Sequence, residues 1–214
     1  MSSVVVIDYE NIPTNSKAIR NYAKEINQKL LDVYKQIEGL HEYWYGQRYN
    51  ELVAEFNKIV ANLNQFLNIL VLEVPSVYEQ IANEFSNVDI QKNIATIQKE
   101  DAIKIQEIEI KKDEGMKFIT SDAERIQKLI TTDFNDTSTL IDSIQRAMVQ
   151  INIKCDGIDE FNSELTKLIN VYKDVIANII QSFTKLMNTA KAQIELAEKT
   201  NKLVSGLSDV IKKA

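Results

Sequence analysis

Residues 49–70, YNELVAEFNKIVANLNQFLNIL, decide the fold. Their apolar positions Tyr49, Leu52, Phe56, Ile59, Leu63, Phe66 and Leu70 recur at alternating steps of three and four, which lines one face of an α-helix. Each such side chain contributes about 1.5 to 3 kcal/mol when buried, so the stripe requires a facing surface. The nearest is the preceding stripe Ile19, Tyr22, Ile26, Leu30, Val33, Ile37 and Leu40, on a helix expected from about Thr14 to Glu42. Pro13 and the polar trio Thr14, Asn15 and Ser16 supply its start signals.

Beyond the quoted stretch, Pro75 removes a backbone donor and predicts a kink, while Tyr78, Ile81, Phe85 and Val88 carry the stripe onward. Ile90, Ile94, Ile97, Ile105 and Ile108 follow among charges, and Lys111 to Gly115 reads as a helix end and linker. Ser121 and Glu124 match a capping box opening a third helix. Its stripe runs Ile126, Ile130, Phe134, Thr137, Ile141, Ile144, Met148, Ile151. After a turn at Lys154 to Gly157, a fourth stripe passes Phe161, Leu165, Leu168, Tyr172, Val175, Ile179, Phe183 and Leu186 towards Leu203. A shift of 111 residues superposes Gly46 on Gly157, Leu30 on Ile141 and Val33 on Ile144, as a duplicated unit would. The expected fold is all-α: two antiparallel helical hairpins in tandem, residues 1–112 and 121–214 joined by a linker at 113–120, as an elongated four-helix bundle. No alternating, strand-like segment is expected beyond the first eight residues.

Composition agrees with long helices. Only five glycines and two prolines punctuate 214 residues. A net charge of -6 without a dense basic stripe opposes nucleic-acid binding. The single cysteine, Cys155, excludes an intrachain disulfide. Residues 1–8 contain the apolar run Val4 to Ile7 but neither the basic start nor the apolar length of a cleaved secretory signal. Phe66 to Leu72, interrupted by Asn68, falls far short of the roughly 20 residues that span a bilayer, so no stable membrane insertion is expected.

The only tryptophan stands at the bend between the first two stripes, in Tyr43-Trp44-Tyr45-Gly46. Glycine permits the tight reversal there, and an indole can cover the open end of a hairpin core. With this motif, hairpin length and bend position, residues 14–90 resemble the WXG (ESAT-like) family of type VII secretion proteins. That resemblance implies a non-enzymatic protein that acts by binding. It implies hairpins that pair into a four-helix bundle, through self-association or within one chain, and export without a cleaved signal by a membrane ATPase, alone or with a co-secreted protein. At the second turn Cys155-Asp156-Gly157 places cysteine where tryptophan would stand, as in a degenerate, fused partner hairpin. The family's export tag is a tyrosine followed four residues later by an aspartate or glutamate, beyond the second helix; at about the expected distance Phe85 and Asp89 stand instead, with phenylalanine in the tyrosine's place, whereas the one literal match, Tyr34 and Glu38, lies inside the first helix.

No phosphate-binding, dinucleotide, metalloprotease or calcium-loop motif is present, so no metal, cofactor or catalytic residue is assigned. His41, the lone histidine, reads as a packing residue beside the bend. Two other functions compete with secretion: an α-helical pore-forming toxin component that inserts the Phe66 to Val74 segment, and an intracellular coiled-coil adaptor for which the heptads alone suffice.

Overall fold

A computed structural model describes residues 5–97, 99–155 and 157–213. The chain is mostly helical: β1 (Val6–Ile7), α1 (Asn11–Leu40), β2 (Trp44–Tyr45), α2 (Gln47–Asn68), a π-helical turn (Ile69–Glu73), α3 (Val74–Asp89), β3 (Lys117–Phe118), α4 (Thr120–Gln150), β4 (Ile153–Lys154) and α5 (Ile158–Lys213). Val4 of the N-terminal apolar run, and Asp156 at the second turn, lie outside the described residues.

The start of α1 lies upstream of the expected Thr14. The Asp8 carboxylate accepts the N–H groups of Glu10 and Asn11, both at 3.1 Å, placing an anion where the helix leaves its first donors unpaired. Those bonds hold the Asp8 carboxyl below its ordinary range. Pro13 then falls in the first turn, where no donor is required, and Asn15 and Ser16 face inward instead of capping. The helical path passes through Pro75 without ending. The π-helical turn immediately before α3 widens the helix where the proline ring would meet the preceding turn's carbonyl, and the apolar stripe continues through Tyr78 and Ala82. The capping box is not formed, because α4 starts at Thr120 and Glu124 pairs with Lys191 of α5 instead.

Helix α1 lies along α4 and also meets α3 and the π-helical turn; α2 lies along α5, and α4 meets α5. Helices α1 and α4 run in opposite directions. Lys29 Nζ donates to Asp133 and Asp136 at 3.1 and 2.7 Å, and Gln36 Nε2 donates to Asp133 at 2.7 Å. Antiparallel strand pairs fasten both ends of this contact: Val6 opposite Lys154 and Ile7 opposite Ile153 at the proximal end, Trp44 opposite Phe118 and Tyr45 opposite Lys117 at the distal end.

The third stripe is buried at all eight positions, including Thr137, whose Oγ1 donates to the Asp133 carbonyl at 2.9 Å. In the first two stripes Tyr22 and Ile59 are only partly covered, with Ala23 and Val60 buried beside them. In α5 the buried face is Leu165, Ile169, Tyr172, Ile176, Ile179, Phe183 and Met187. It keeps the expected Leu165, Tyr172, Ile179 and Phe183 and takes the next residue, Ile169, Ile176 and Met187, in place of the expected Leu168, Val175 and Leu186. A buried ion pair, Arg20 Nη1 and Nη2 to the two Glu79 carboxylate oxygens at 2.5 and 2.7 Å, fixes α3 against α1.

The segment after α3 departs most from expectation. Helix ends at Asp89, and the described residues 93–97 and 99–112 carry no helix, so the helix expected to run on from Ile90 to Lys111 is replaced by an extended strap that leads to Ile119. Asparagine amides hold it. Asn57 donates to the Ile108 carbonyl and accepts its N–H, at 2.8 and 2.9 Å; Asn64 does the same with Ile105 and Asn68 with Ile103. Asn83 treats Ala95 likewise, and Asn50 donates to the Lys111 carbonyl at 3.2 Å. The register follows from geometry: the seven helical residues from Asn57 to Asn64 rise about 10.5 Å, and three extended residues from Ile105 to Ile108 rise about 10 Å. Every residue with both backbone groups so bonded meets the demand for partners that a helix would otherwise satisfy internally. Lys24 to Glu100 and His41 to Asp113 tie the strap's other side to α1 and its end, so Ile105 and Ile108 sit buried in the core beneath it.

Candidate functional site

The distal corner is built around the tryptophan. Trp44 is 1% exposed, with its ring edge-on to Tyr49 and Phe118 and stacked at 6.4 Å on Phe183 of α5. The indole therefore closes the core where β2, β3, α2 and α5 meet. Gly46 follows at φ +112°, a conformation favoured only by glycine, and an added Cβ would lie 3.1 Å from the Gly115 carbonyl oxygen. Tyr49, in the first turn of α2, donates to the Ile37 carbonyl at 3.1 Å, and burial pushes its hydroxyl well above the ordinary range. The His41 ring lies tilted against Tyr45 and edge-on to Tyr49, with Nε2 3.0 Å from Asp113.

The proximal corner differs. Gly157 also has positive φ, +86°, but nothing lies within 4 Å of an added Cβ. Cys155 is partly covered and follows β4 instead of opening it. Ile153, first residue of β4 and buried, holds the place that Trp44 holds in β2, so strand position relates the corners by two residues fewer than the glycine match.

Phe85 and Asp89 lie one turn apart at the end of α3, Phe85 half-buried and Asp89 exposed. Together with Val5, Ile7, Tyr9 and Val88 they line a cleft of about 500 Å³ at the proximal end. The Tyr9 hydroxyl donates to Asp89 Oδ2 at 3.4 Å; desolvation and the adjacent carboxylate both hold its proton above the usual tyrosine range. Sequence reasoning did not find Tyr9, because its partner is 80 positions away. Tyr34 is partly buried and Glu38 exposed within α1, remote in sequence from this cleft.

The asparagine ladder was also missed, although Asn50, Asn57 and Asn64 recur every seven residues beside the seam. That heptad spacing is the one signal that could have revealed it. Among the described residues no group of three or more His, Cys, Asp or Glu side chains could hold a metal ion, and no helix is long and apolar enough to cross a membrane. Compared with family models, curated proteins and solved structures, the chain matches none.

Proposed function

We propose that this chain is a WXG-type binding protein exported by a type VII secretion system, built as two antiparallel helical hairpins in tandem that close into one elongated four-helix bundle. The observation that carries the reading is the distal corner: a W-x-G turn between two long amphipathic helices, with the indole inserted in the core and the glycine at positive φ. The contacts of α1 with α4 and of α2 with α5 support the pairing of residues 1–112 with residues 121–214 inside one chain. A fused pair needs no second molecule to complete its core, since the linker sets a high effective concentration. Cys155 and Gly157 mark the degenerate turn of the second hairpin.

The partner is the secretion ATPase or a co-secreted protein, and the function is binding rather than catalysis. Phe85 and Asp89 present a ring and a carboxylate on one face of α3, the arrangement a receptor for the family's tag would read. The pore-forming alternative draws less support, because Phe66, Leu67, Leu70 and Val71 of its inserting segment are already buried in the core. Changing Phe85 and Asp89 together to alanine tests the assignment. Export is expected to stop while thermal stability, measured in parallel, stays near wild type, and Asp89→Asn alone is expected to reduce it. Normal supernatant levels of a folded double variant would remove the tag from these residues.

A further inference from the structure

The asparagine row on α2 grips main chain, which makes it a site as well as a fastening. Asn57, Asn64 and Asn68 each bind both the N–H and the carbonyl of one strap residue, at 2.7 to 3.0 Å. Between these rungs Lys104, Gln106 and Glu107 hold exposed side chains, whereas Ile105 and Ile108 are buried and Ile103 is partly covered. Such a row accepts an extended segment whose first, third and sixth residues are apolar and carry an N–H; the residues between them are not read. Main-chain bonds combined with side-chain pockets at set intervals are a general means of holding extended peptides.

The resident strap does not fill the row completely. Asn50 stands seven residues before Asn57, and Lys111 three after Ile108, the same intervals that relate the Asn64 and Asn57 rungs. A further full rung is therefore in register. Only half of it forms: Asn50 Nδ2 donates to the Lys111 carbonyl at 3.2 Å, while Asn50 Oδ1 is buried with no partner among the described residues. A buried acceptor left so lowers stability, and an N–H brought to it would restore the loss. Two residues on, Asp113 is tied to His41 Nε2 at 3.0 Å and the chain then enters β3, so the strap answers here to constraints besides the ladder. The strap is also not all that joins the two halves of the chain, because both strand pairs and the contacts of α1 with α4 and α2 with α5 join them directly.

We infer that the face of α2 bearing Asn50, Asn57, Asn64 and Asn68 is a receptor for an extended segment of a partner protein, and that the strap occupies it as a displaceable stand-in. The partner segment carries apolar side chains where Ile103, Ile105 and Ile108 stand and, free of the tie at Asp113, completes the rung at Asn50. An occupant attached to its own receptor competes at an effective concentration of about a millimolar for a short flexible link. The site is therefore closed to dilute segments and opens to one that binds more tightly or is held nearby. The inference does not rest on the secretion reading.

A labelled peptide with the sequence of residues 101–112 is the probe. The full chain carrying Ile105→Ser and Ile108→Ser, whose own strap has lost its buried anchors, is expected to bind it at least about tenfold more tightly than the wild-type chain does. Adding Asn57→Ala and Asn64→Ala to that chain, or an N-methyl group to the peptide at Ile105, is expected to abolish binding. Lys104→Ala, Gln106→Ala and Glu107→Ala in the peptide are expected to leave it unchanged. The wild-type chain gives a second reading that no variant's folding can spoil: millimolar peptide should speed amide exchange at Ile103, Ile105 and Ile108 by at least about tenfold, while the protected amides of α2 stay as they are. A folded strap variant that does not bind, binding indifferent to Asn57 and Asn64, or strap amides unmoved by millimolar peptide would each overturn the inference.

Discussion

The two corners of the molecule use the same backbone device for different loads. Each places a two-residue strand before a glycine of positive φ and pairs that strand with one from the other half of the chain. At the distal corner the strand carries Trp44 into a cage of Tyr49, Phe118 and Phe183, and the Gly46 backbone passes against residues 115 and 116. At the proximal corner the strand carries Ile153, and Gly157 borders open space. A turn can therefore be repeated without repeating the packing that depends on it. The W-x-G sequence marks the corner where strap, strand and two helices converge, and the corner with Cys155 needs only the reversal.

The largest expected break in this comparison is Trp44→Ala. Removing a fully buried indole is expected to cost about 3 to 5 kcal/mol, against about 2 kcal/mol for Ile153→Ala, in denaturant titrations of the two variants. Equal losses would mean that the corners carry equal loads. The glycines should separate next. Gly46→Ala combines a backbone strain of about 1 to 3 kcal/mol with displacement of the strap at Gly115, whereas Gly157→Ala carries the strain alone. The first is expected to lower stability by at least 1 kcal/mol more than the second, and a reversed order would place the tighter turn at the proximal corner.

A smaller effect is expected from Cys155→Ser. The thiol is only partly covered and does not hold Trp44's place, so the change should stay within about 1 kcal/mol. A loss as large as that of Trp44→Ala would restore cysteine as the structural counterpart of the tryptophan. The smallest expected effect concerns acid. Hydrogen bonding and charge from Lys191 hold the Glu124 carboxyl below 4.5, its ordinary value, so its stabilising contribution is present above that value and lost as pH falls below it. Asp8 at the proximal end, also lowered, behaves with the same sign. Glu124→Gln should therefore flatten part of the fall in melting temperature on acidification, leaving the part due to Asp8; an unchanged profile would show that the Lys191 contact is spent on solvent.

The helices were legible because burial repeats with the helix period. Stripes such as Ile126 to Ile151 record which side of the backbone is inside, and even Thr137 kept its place because its hydroxyl finds a carbonyl one turn back. The strap was not read correctly, although Ile103-Lys104-Ile105-Gln106 and Glu107-Ile108-Glu109-Ile110 alternate with period two. Alternation signals an extended chain, and an extended chain normally needs a sheet partner; here the partner is a row of side-chain amides on α2, which no local pattern within the strap encodes. The same separation hid the site. Phe85 and Asp89 could be picked from their spacing, but Tyr9, Val5 and Ile7 join them only through the pairing of β1 with β4, a contact between the two ends of a 150-residue span.

Boundaries failed where a side chain outside the helix decided them. The carboxylate of Asp8 starts α1 ahead of the Thr14 signal, and Lys191 draws Glu124 away from the capping box that its sequence spells. In both cases a partner three residues or more away outweighed the local motif. The W-x-G motif was informative for the opposite reason: both of its marked residues serve one short corner, the indole inward and the glycine in the turn.

The most direct test of the secretion reading compares culture supernatants of a bacterium that carries a type VII secretion ATPase with those of the same strain lacking it, each producing the full chain. Folded protein is expected in the supernatant only when the ATPase is present, without loss of N-terminal residues. Equal release from both strains, in the absence of lysis, would contradict the account.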